Sequence, residues 1–499
     1  MPRRPEYLAI AAALACACSS PPSVGPVADA GELPDAGDAR LDAGGSSDAS
    51  SGGADGGTDA GADAGWSAAL VLPAVACSDL VDQVYVTPPL PPSSDAARGD
   101  VIRCAPDFTY DLAGVEAELA AAGDTDVTAT TGVSVWRVAF RTTRSVGSGA
   151  SSARVYLPST PRQGPLPIIV ASHPTEGIAD TCAPSKSAAS NRDLALPWAA
   201  LGYAVIVPDF AGLGNEGAQG YLDSRDTAYS VLDGARALRK LLFPGAFSNQ
   251  VVVVGYSQGG GAALSAQALA PTYGAGGDLA AVVVFAPQWP ARLDSFGMLR
   301  MLADPNGLTI AYGVTKPVVH VMRTYAFYAT RGGETDGGLG FPAAKAAGLK
   351  SAVESTCTIA LGGAVQGTSP FVRDLIDDGL RTSLLACAAD PAGTGCVEPG
   401  RSFHAFLVLN EVTPVATGAP ILYVQGLGDL IMPAAEEAAC NLGTLADAGV
   451  FPQVCTDASA SHVDVVSRNI GFATRWVSAR LAGAAPPTCS GAGMPDCIP

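Results

Sequence analysis

One stretch limits the folds open to this chain more than any other: VVVVGYSQGGGAALSAQAL, from Val251 to Leu269. Four consecutive β-branched residues with no polar interruption fit a strand buried on both faces. The small residues from Ala262 onward fit a helix, and only Gly255 to Gly261 separate the two. A strand that passes into a helix through so tight a turn belongs to a layered structure, with helices packed on a sheet of mainly parallel strands.

The rest of the sequence repeats that pattern. VSVWRVAF, from Val133 to Phe140, alternates as a half-buried strand does, and Arg154 to Leu157 supplies its partner. PLPIIVASH and GYAVIVPDF are short apolar runs with a helical segment, Asn191 to Leu201, between them, which makes a strand–helix–strand unit. Thr227 to Leu242 has helical spacing, LAAVVVFA from Leu279 to Ala286 is another buried strand, and Pro420 to Val424 is the next. Val466 to Ala482 reads as the closing helix, with Trp476 on its apolar side. Between Pro287 and about Val415 no buried strand stands out. Helical patterns occur there at Phe296 to Leu302, Tyr325 to Tyr328 and Phe371 to Leu385, and the segment reads as a largely helical cap. Its size accounts for surplus length, because 499 residues exceed what one core usually organises and call for an insertion or an appendage. The segment from Trp66 to about Asp126 is mixed.

The N-terminus has the form of an export signal. Arg3 and Arg4 precede an apolar stretch from Tyr7 to Ala17, too short to span a bilayer. ALACAC resembles a bacterial lipoprotein signal, with Cys16 as the lipidated residue after Ala13, Leu14 and Ala15. Cys18 and ordinary cleavage with release are the alternatives. From Ser19 to Gly65 there is no aromatic residue, and Asp-Ala-Gly recurs at Asp29, Asp35, Asp42, Asp59 and Asp63. Such a stretch cannot bury a core and reads as a flexible, self-repelling tether. It holds nine acids against Arg40 alone, so eight of the chain's eighteen net negative charges belong to it. The acidic balance argues against nucleic acid and anionic membrane surfaces as partners.

Twelve cysteines include two in the signal, and the remaining ten in an exported chain suggest disulfides. Connectivity does not follow from sequence; the neighbours Cys440 with Cys455 and Cys489 with Cys497 are natural first guesses. No Cys/His cluster has zinc spacing, and no metal or cofactor is implied. The expected organisation is a signal peptide over 1–18, a disordered linker over 19–65, a first core part over 66–286, a helical cap over 287–415, a second core part over 416–485 and a tail over 486–499.

Gly255, Tyr256, Ser257, Gln258 and Gly259 spell G-x-S-x-G between strand and helix, the setting of a nucleophile elbow. A serine hydroxyl is a weak nucleophile and needs a histidine base that a carboxylate orients. Of the four histidines, only His462, in ASASHVDVV, lies after the last expected strand and before the final helix. His320 sits in an apolar run, His404 at the end of the cap, and His173 in a loop that it shapes. Asp429, in QGLGDLIMP, follows the strand ILYVQ by a short glycine loop and can reach back to the histidine. Asp457 and Asp464 lie nearer His462 in sequence but lack a strand to hold them. Acyl transfer also needs two donors aimed at a developing oxyanion. The backbone N–H of Gln258 is one, and Thr175 in HPTEG supplies the other, since Pro174 has no N–H.

Together these segments resemble the fungal-type secretory lipase family. HPTEGIADTCAPS matches its H-G-T-x-G…C-A-P-S region, PDFAGLG its D-Y-x-G-x-G and GYSQGG its elbow, over roughly Val133 to Gly483. The resemblance implies an α/β-hydrolase core with a helical cap, action on triacylglycerols or other carboxylic esters, and a disulfide from Cys182 to Cys357. Pro174, where the family more often has glycine, is a departure. The expectation is a secreted or surface-anchored serine ester hydrolase, anchored to a membrane where Cys16 is lipidated. The alternatives are an α/β-hydrolase of other acyl specificity (peptidase, polysaccharide esterase or acyltransferase) and a non-catalytic surface binding protein. Phe296, Tyr325, Phe327 and Tyr328 are candidates either for an acyl tunnel or for the core of the cap.

Overall fold

The computed structural model describes residues 77–160, 164–187, 191–242, 245–304, 315–489 and 493–498. The signal-like segment with Cys16 and the acidic stretch over 19–65 lie outside the described residues. Among the described residues, nine strands form one sheet: β1 (Val101–Tyr110), β2 (Val133–Arg144), β3 (Gly147–Pro158), β4 (Leu166–Ser172), β5 (Ala204–Pro208), β6 (Phe247–Tyr256), β7 (Asp278–Phe285), β8 (Ile421–Gly426) and β9 (Gln453–Asp457). Their order across the sheet is β1-β2-β3-β5-β4-β6-β7-β8-β9. The first three strands run antiparallel to their neighbours, and from β5 to β9 every pairing is parallel.

Helices α1 (Leu112–Ala122), α2 (Arg192–Ala200), α3 (Ser224–Leu241) and α4 (Gln258–Tyr273) precede the cap. The cap between β7 and β8 contains α5 (Met298–Ala303), α6 (Thr315–Gly332), α7 (Ala343–Ser355), α8 (Thr358–Thr368), α9 (Asp378–Ala389) and α10 (Gly400–Leu409), with no strand among the described residues. Helices α11 (Ala439–Asp447) and α12 (Val465–Leu481) complete the core.

The valine-rich strands lack polar alternation because both faces of the sheet are covered. Ile168, Val170, Val251, Val253, Val282 and Val284 pack on one face against Leu238 of α3, Leu264 of α4 and Leu445 of α11. Their alternates Ile169, Val252, Val254 and Val283 pack on the other against Trp198 of α2 and Ile470 and Trp476 of α12. Period-two geometry thus sends successive residues of one apolar run into two separate cores.

Three sequence expectations are corrected. The mixed region before Asp126 contains β1 and α1, and β9 falls between Asp429 and His462 where no strand was expected. Both strands are sheet edges, which carry polar residues and proline that a central strand would exclude. In β1 these are Arg103, Pro106 and Asp107, with the pairing irregular between Pro106 and Phe108. The helix expected over Phe371 to Leu385 begins only at Asp378. Asp377 caps it, its side chain accepting from the Gly379 and Leu380 N–H at 2.8 and 3.0 Å.

The third correction concerns the disulfides. Cys182 joins Cys357, as the family resemblance implies, and Cys77 joins Cys104 and Cys387 joins Cys396. Cys440 pairs with Cys497, and Cys455 with Cys489, which overturns the pairing of sequence neighbours. Cys440 opens α11, whose Leu445 belongs to one core, whereas Cys455 on β9 points into the other. The sheet therefore separates two cysteines that lie close in sequence. The tail serves both faces: Cys489 docks where Gln453 donates to the Pro487 carbonyl at 2.9 Å, and Ile498 N–H donates to Ala435 at 3.0 Å.

Candidate active site

The parallel strands end along one edge of the sheet, and loops leaving the C-terminal ends of β4, β5, β6, β7, β8 and β9 meet there. Ser257 sits at the turn from β6 to α4 with φ 52° and ψ −117°. This conformation is costly for a residue with a Cβ and is held by its surroundings. The Ser257 N–H donates to Phe285 at 3.0 Å, and its carbonyl accepts from the N–H of Gly261 at 3.1 Å and of Gln288 at 2.7 Å. The turn can be this tight because its flanks are glycine. A Cβ on Gly255 would lie 2.1 Å from the Gly259 carbonyl oxygen, and one on Gly259 would lie 1.9 Å from that of Ser172 at the end of β4.

His462, in the loop between β9 and α12, places Nε2 3.0 Å from Ser257 Oγ and Nδ1 2.7 Å from Asp429 Oδ2. All three residues are buried, at 5%, 7% and 2% exposure for Ser257, His462 and Asp429. The turn after β8 fixes the carboxylate, since Oδ1 accepts from the N–H of Ile431 at 2.8 Å and of Met432 at 2.7 Å. Oδ2 therefore faces the imidazole, with Gln425 Nε2 at 3.4 Å as a further donor. The Tyr256 hydroxyl donates to the His462 carbonyl at 2.7 Å, and the two rings lie 5.1 Å apart. Burial raises the Tyr256 phenol well above its ordinary value, so it remains a donor. Asp457 and Asp464 lie outside this contact: Asp457 pairs with Arg468 at 2.9 Å, and Asp464 accepts from the Ser461 N–H.

Gln258 is the first residue of α4, where a backbone N–H has no acceptor within the helix. Thr175 lies in the loop after β4. Its hydroxyl is 3.1 Å from the Tyr221 hydroxyl and donates to Gln288 Oε1 at 3.1 Å, and Tyr221 also donates to Gln288 Oε1 at 3.2 Å. The cap holds the same loop. The Thr358 hydroxyl donates to the Thr175 carbonyl at 3.1 Å, the Thr358 N–H donates to the Glu176 carbonyl at 3.0 Å, and the Cys182–Cys357 disulfide lies beside them. Burial pushes the Glu176 carboxyl up to about 7. Tyr221 and Gln288 carry no motif, so the sequence gives no signal for their part in this network.

His173 is enclosed, and both its ring nitrogens are engaged by backbone carbonyls, Nδ1 2.6 Å from that of Pro174 and Nε2 3.2 Å from that of Asp209. Burial lowers its pKa. His320 is equally enclosed, on α6, with Nε2 3.2 Å from the Phe296 carbonyl. The two segments most distinctive in the sequence meet at Asp209. Its carboxylate accepts from the Ser185 N–H at 2.8 Å, from the Ser185 hydroxyl and from the Ser152 hydroxyl at 2.6 Å. The C-A-P-S element and the P-D-F element are thus two halves of one buried polar clamp behind the site. Phe296 and Tyr325 pack in one apolar cluster and Phe327 and Tyr328 in another, so these four aromatics build the core of the cap.

A model of the secretory lipase family matches residues 190–288, a stretch that holds α2, the turn at Ser257 and β7. No curated protein sequence matches the chain. Among solved structures, the rice cell wall degrading esterase LipA from Xanthomonas oryzae is 21% identical. The match covers 77% of this chain and 97% of that one, with a TM-score of 0.57. Candida antarctica lipase A is 18% identical, with coverage of 84% and 89% and the same TM-score of 0.57. The mixed nine-stranded sheet, the helices on both faces and the helical cap after β7 are therefore those of the α/β-hydrolase fold.

Proposed function

We propose that this chain is an exported serine ester hydrolase that cleaves carboxylic esters, triacylglycerols among them, through an acyl-enzyme on Ser257. The observation that carries the reading is the unbroken contact from Ser257 Oγ through His462 to Asp429, 3.0 and 2.7 Å long, beside a serine held at positive φ. Ser257 attacks the ester carbonyl as His462 Nε2 takes its proton, and Asp429 stabilises the imidazolium. The oxyanion is received by the backbone N–H groups of Gln258 and Thr175. His462 then returns the proton to the departing alcohol, and water releases the acyl group by the same steps in reverse. No metal or cofactor enters this sequence.

Export is supported by the five disulfides among the described residues, which persist in an oxidising compartment. It is also supported by the signal-like start. We infer that cleavage after Ala15 makes Cys16 the lipid-bearing N-terminus, and that residues 19–65 hold the enzyme away from the membrane. The names of the similar structures, a lipase and an esterase, favour esters over amides.

Hydrolysis of p-nitrophenyl esters of graded chain length, alongside matched p-nitroanilides, tests the reaction class. Ester turnover at least ~100-fold faster than amide turnover, about 3 kcal/mol in barrier, is expected. Faster cleavage of the amides would assign the site to a peptidase.

A further inference from the structure

The motif G-x-S-x-G leaves its second position open, and here that position is Tyr256. The strand decides where its side chain goes. Successive residues of β6 alternate between the two faces of the sheet, and Val252, Val254 and Tyr256 pack on the face covered by α2 and α12. His462 lies in the loop that enters α12, so the alternation that builds the core also aims Tyr256 at the histidine loop. It meets His462 in two ways. The Tyr256 hydroxyl donates to the His462 carbonyl at 2.7 Å, and its ring lies 5.1 Å from the imidazole, tilted by 42°.

The residues beside His462 are braced elsewhere. The Ser461 N–H and hydroxyl both donate to Asp464 Oδ1 at 2.6 Å, just before α12, and the Ala460 carbonyl accepts from the Gly428 N–H at 3.0 Å, in the turn that carries Asp429. Neither brace touches β6. Tyr256 supplies that tie, because it is the last residue of the strand and Ser257 is the next, its own N–H held by the Phe285 carbonyl at 3.0 Å. The nucleophile and the residue that grips the base thus share one strand end. Proton transfer from Ser257 needs His462 Nε2 within hydrogen-bond reach, and a small displacement of the base costs rate steeply. We propose that Tyr256 is a positioning residue for the catalytic base: its hydroxyl fixes the His462 backbone and its ring limits rotation of the imidazole, so that Nε2 stays 3.0 Å from Ser257 Oγ. The proposal rests on Ser257 acting as the nucleophile.

Two substitutions separate this role from packing alone. Tyr256→Phe keeps the ring and removes the hydroxyl, and Tyr256→Leu removes both. On a p-nitrophenyl ester, kcat falls about tenfold in Tyr256→Phe and about 100-fold in Tyr256→Leu, while KM stays within about twofold of native in both, because the lost contacts hold the base and not the substrate. The rate at which a fluorophosphonate labels Ser257 falls in parallel, since that reaction draws on the same base. Tyr256→Phe lowers Tm by no more than about 4 °C, the scale of one hydrogen bond. A residue that only packs would lower Tm and leave the kcat of the folded variant unchanged. Should Tyr256→Leu fail to fold, Tyr256→Phe decides alone. A Tyr256→Phe variant whose kcat stays within about twofold of native overturns the proposal, as does a loss confined to KM. In either case labelling of Ser257 in the native chain leaves the nucleophile in place. Absence of all ester turnover by the native chain, together with no reaction of Ser257 with a fluorophosphonate, would instead overturn the reading of the site on which the proposal rests.

Discussion

Replacing Ser257 with alanine is expected to lower kcat for ester hydrolysis by about 10⁶-fold, the scale on which removal of an activated serine acts. The hydroxyl 3.0 Å from His462 Nε2 is the group that forms the acyl-enzyme in this mechanism, and no other described side chain takes its place in that contact. Alanine keeps the Cβ that the turn already accommodates at φ 52°, so the backbone bonds from Phe285, Gly261 and Gln288 stay as they are. Tm should therefore change by no more than about 2 °C, less than a 1 kcal/mol loss would produce. The Gln258 and Thr175 N–H groups remain, and a residual acceleration of about 10³-fold over water is expected from them and from substrate binding. Active-site-titrated kinetics on a p-nitrophenyl ester measure the ratio. A loss below tenfold would mean that another nucleophile carries the reaction.

Asp429→Asn should lower kcat by about 10⁴-fold, for a reason visible in its hydrogen bonds. The carboxylate uses Oδ1 to accept two backbone N–H groups, from Ile431 and Met432 at 2.8 and 2.7 Å. An asparagine must keep its carbonyl oxygen in that position, because an amide N–H there would oppose two donors. Its NH₂ then faces His462 Nδ1, which must accept. The imidazole proton moves to Nε2, the nitrogen that has to take the Ser257 proton. The variant should fold with a Tm within about 3 °C of the native chain, since the turn keeps both backbone bonds. Steady-state kcat with thermal unfolding on the same sample checks both halves. A variant that retained a tenth or more of native kcat would remove Asp429 from the mechanism.

The centre of the fold was legible in the sequence because its strands are buried on two faces. Val251 to Val254 and Val282 to Val284 face alternately into two cores, so no position along them tolerates a polar residue. The edges were not legible for the opposite reason. In β1 and β9 one side is unpaired, and residues such as Arg103, Asp107 and Gln453 sit in strands without leaving an apolar signature. The same difference divides the site. Chain order and the strands that precede them single out Ser257, Asp429 and His462, and the fold brings the three into one contact.

Tyr221 and Gln288 were missed because their part is made by tertiary packing around Thr175 and has no local pattern. Disulfide pairing shows the same limit. Cys440 and Cys455 are neighbours in sequence but lie on α11 and β9, and the C-terminal tail carries the partner of each, Cys497 and Cys489.

The central claim is that Ser257 is an activated nucleophile. A fluorophosphonate tests it directly, since the reagent phosphonylates a serine whose hydroxyl is deprotonated by a neighbouring base and leaves ordinary serines untouched. Intact-mass measurement followed by peptide mapping should show one phosphonyl group per chain, on the peptide that contains Gly255 to Gly259. The Ser257→Ala variant should show none. A native chain that stays unlabelled, or one labelled at any other residue, would contradict the account.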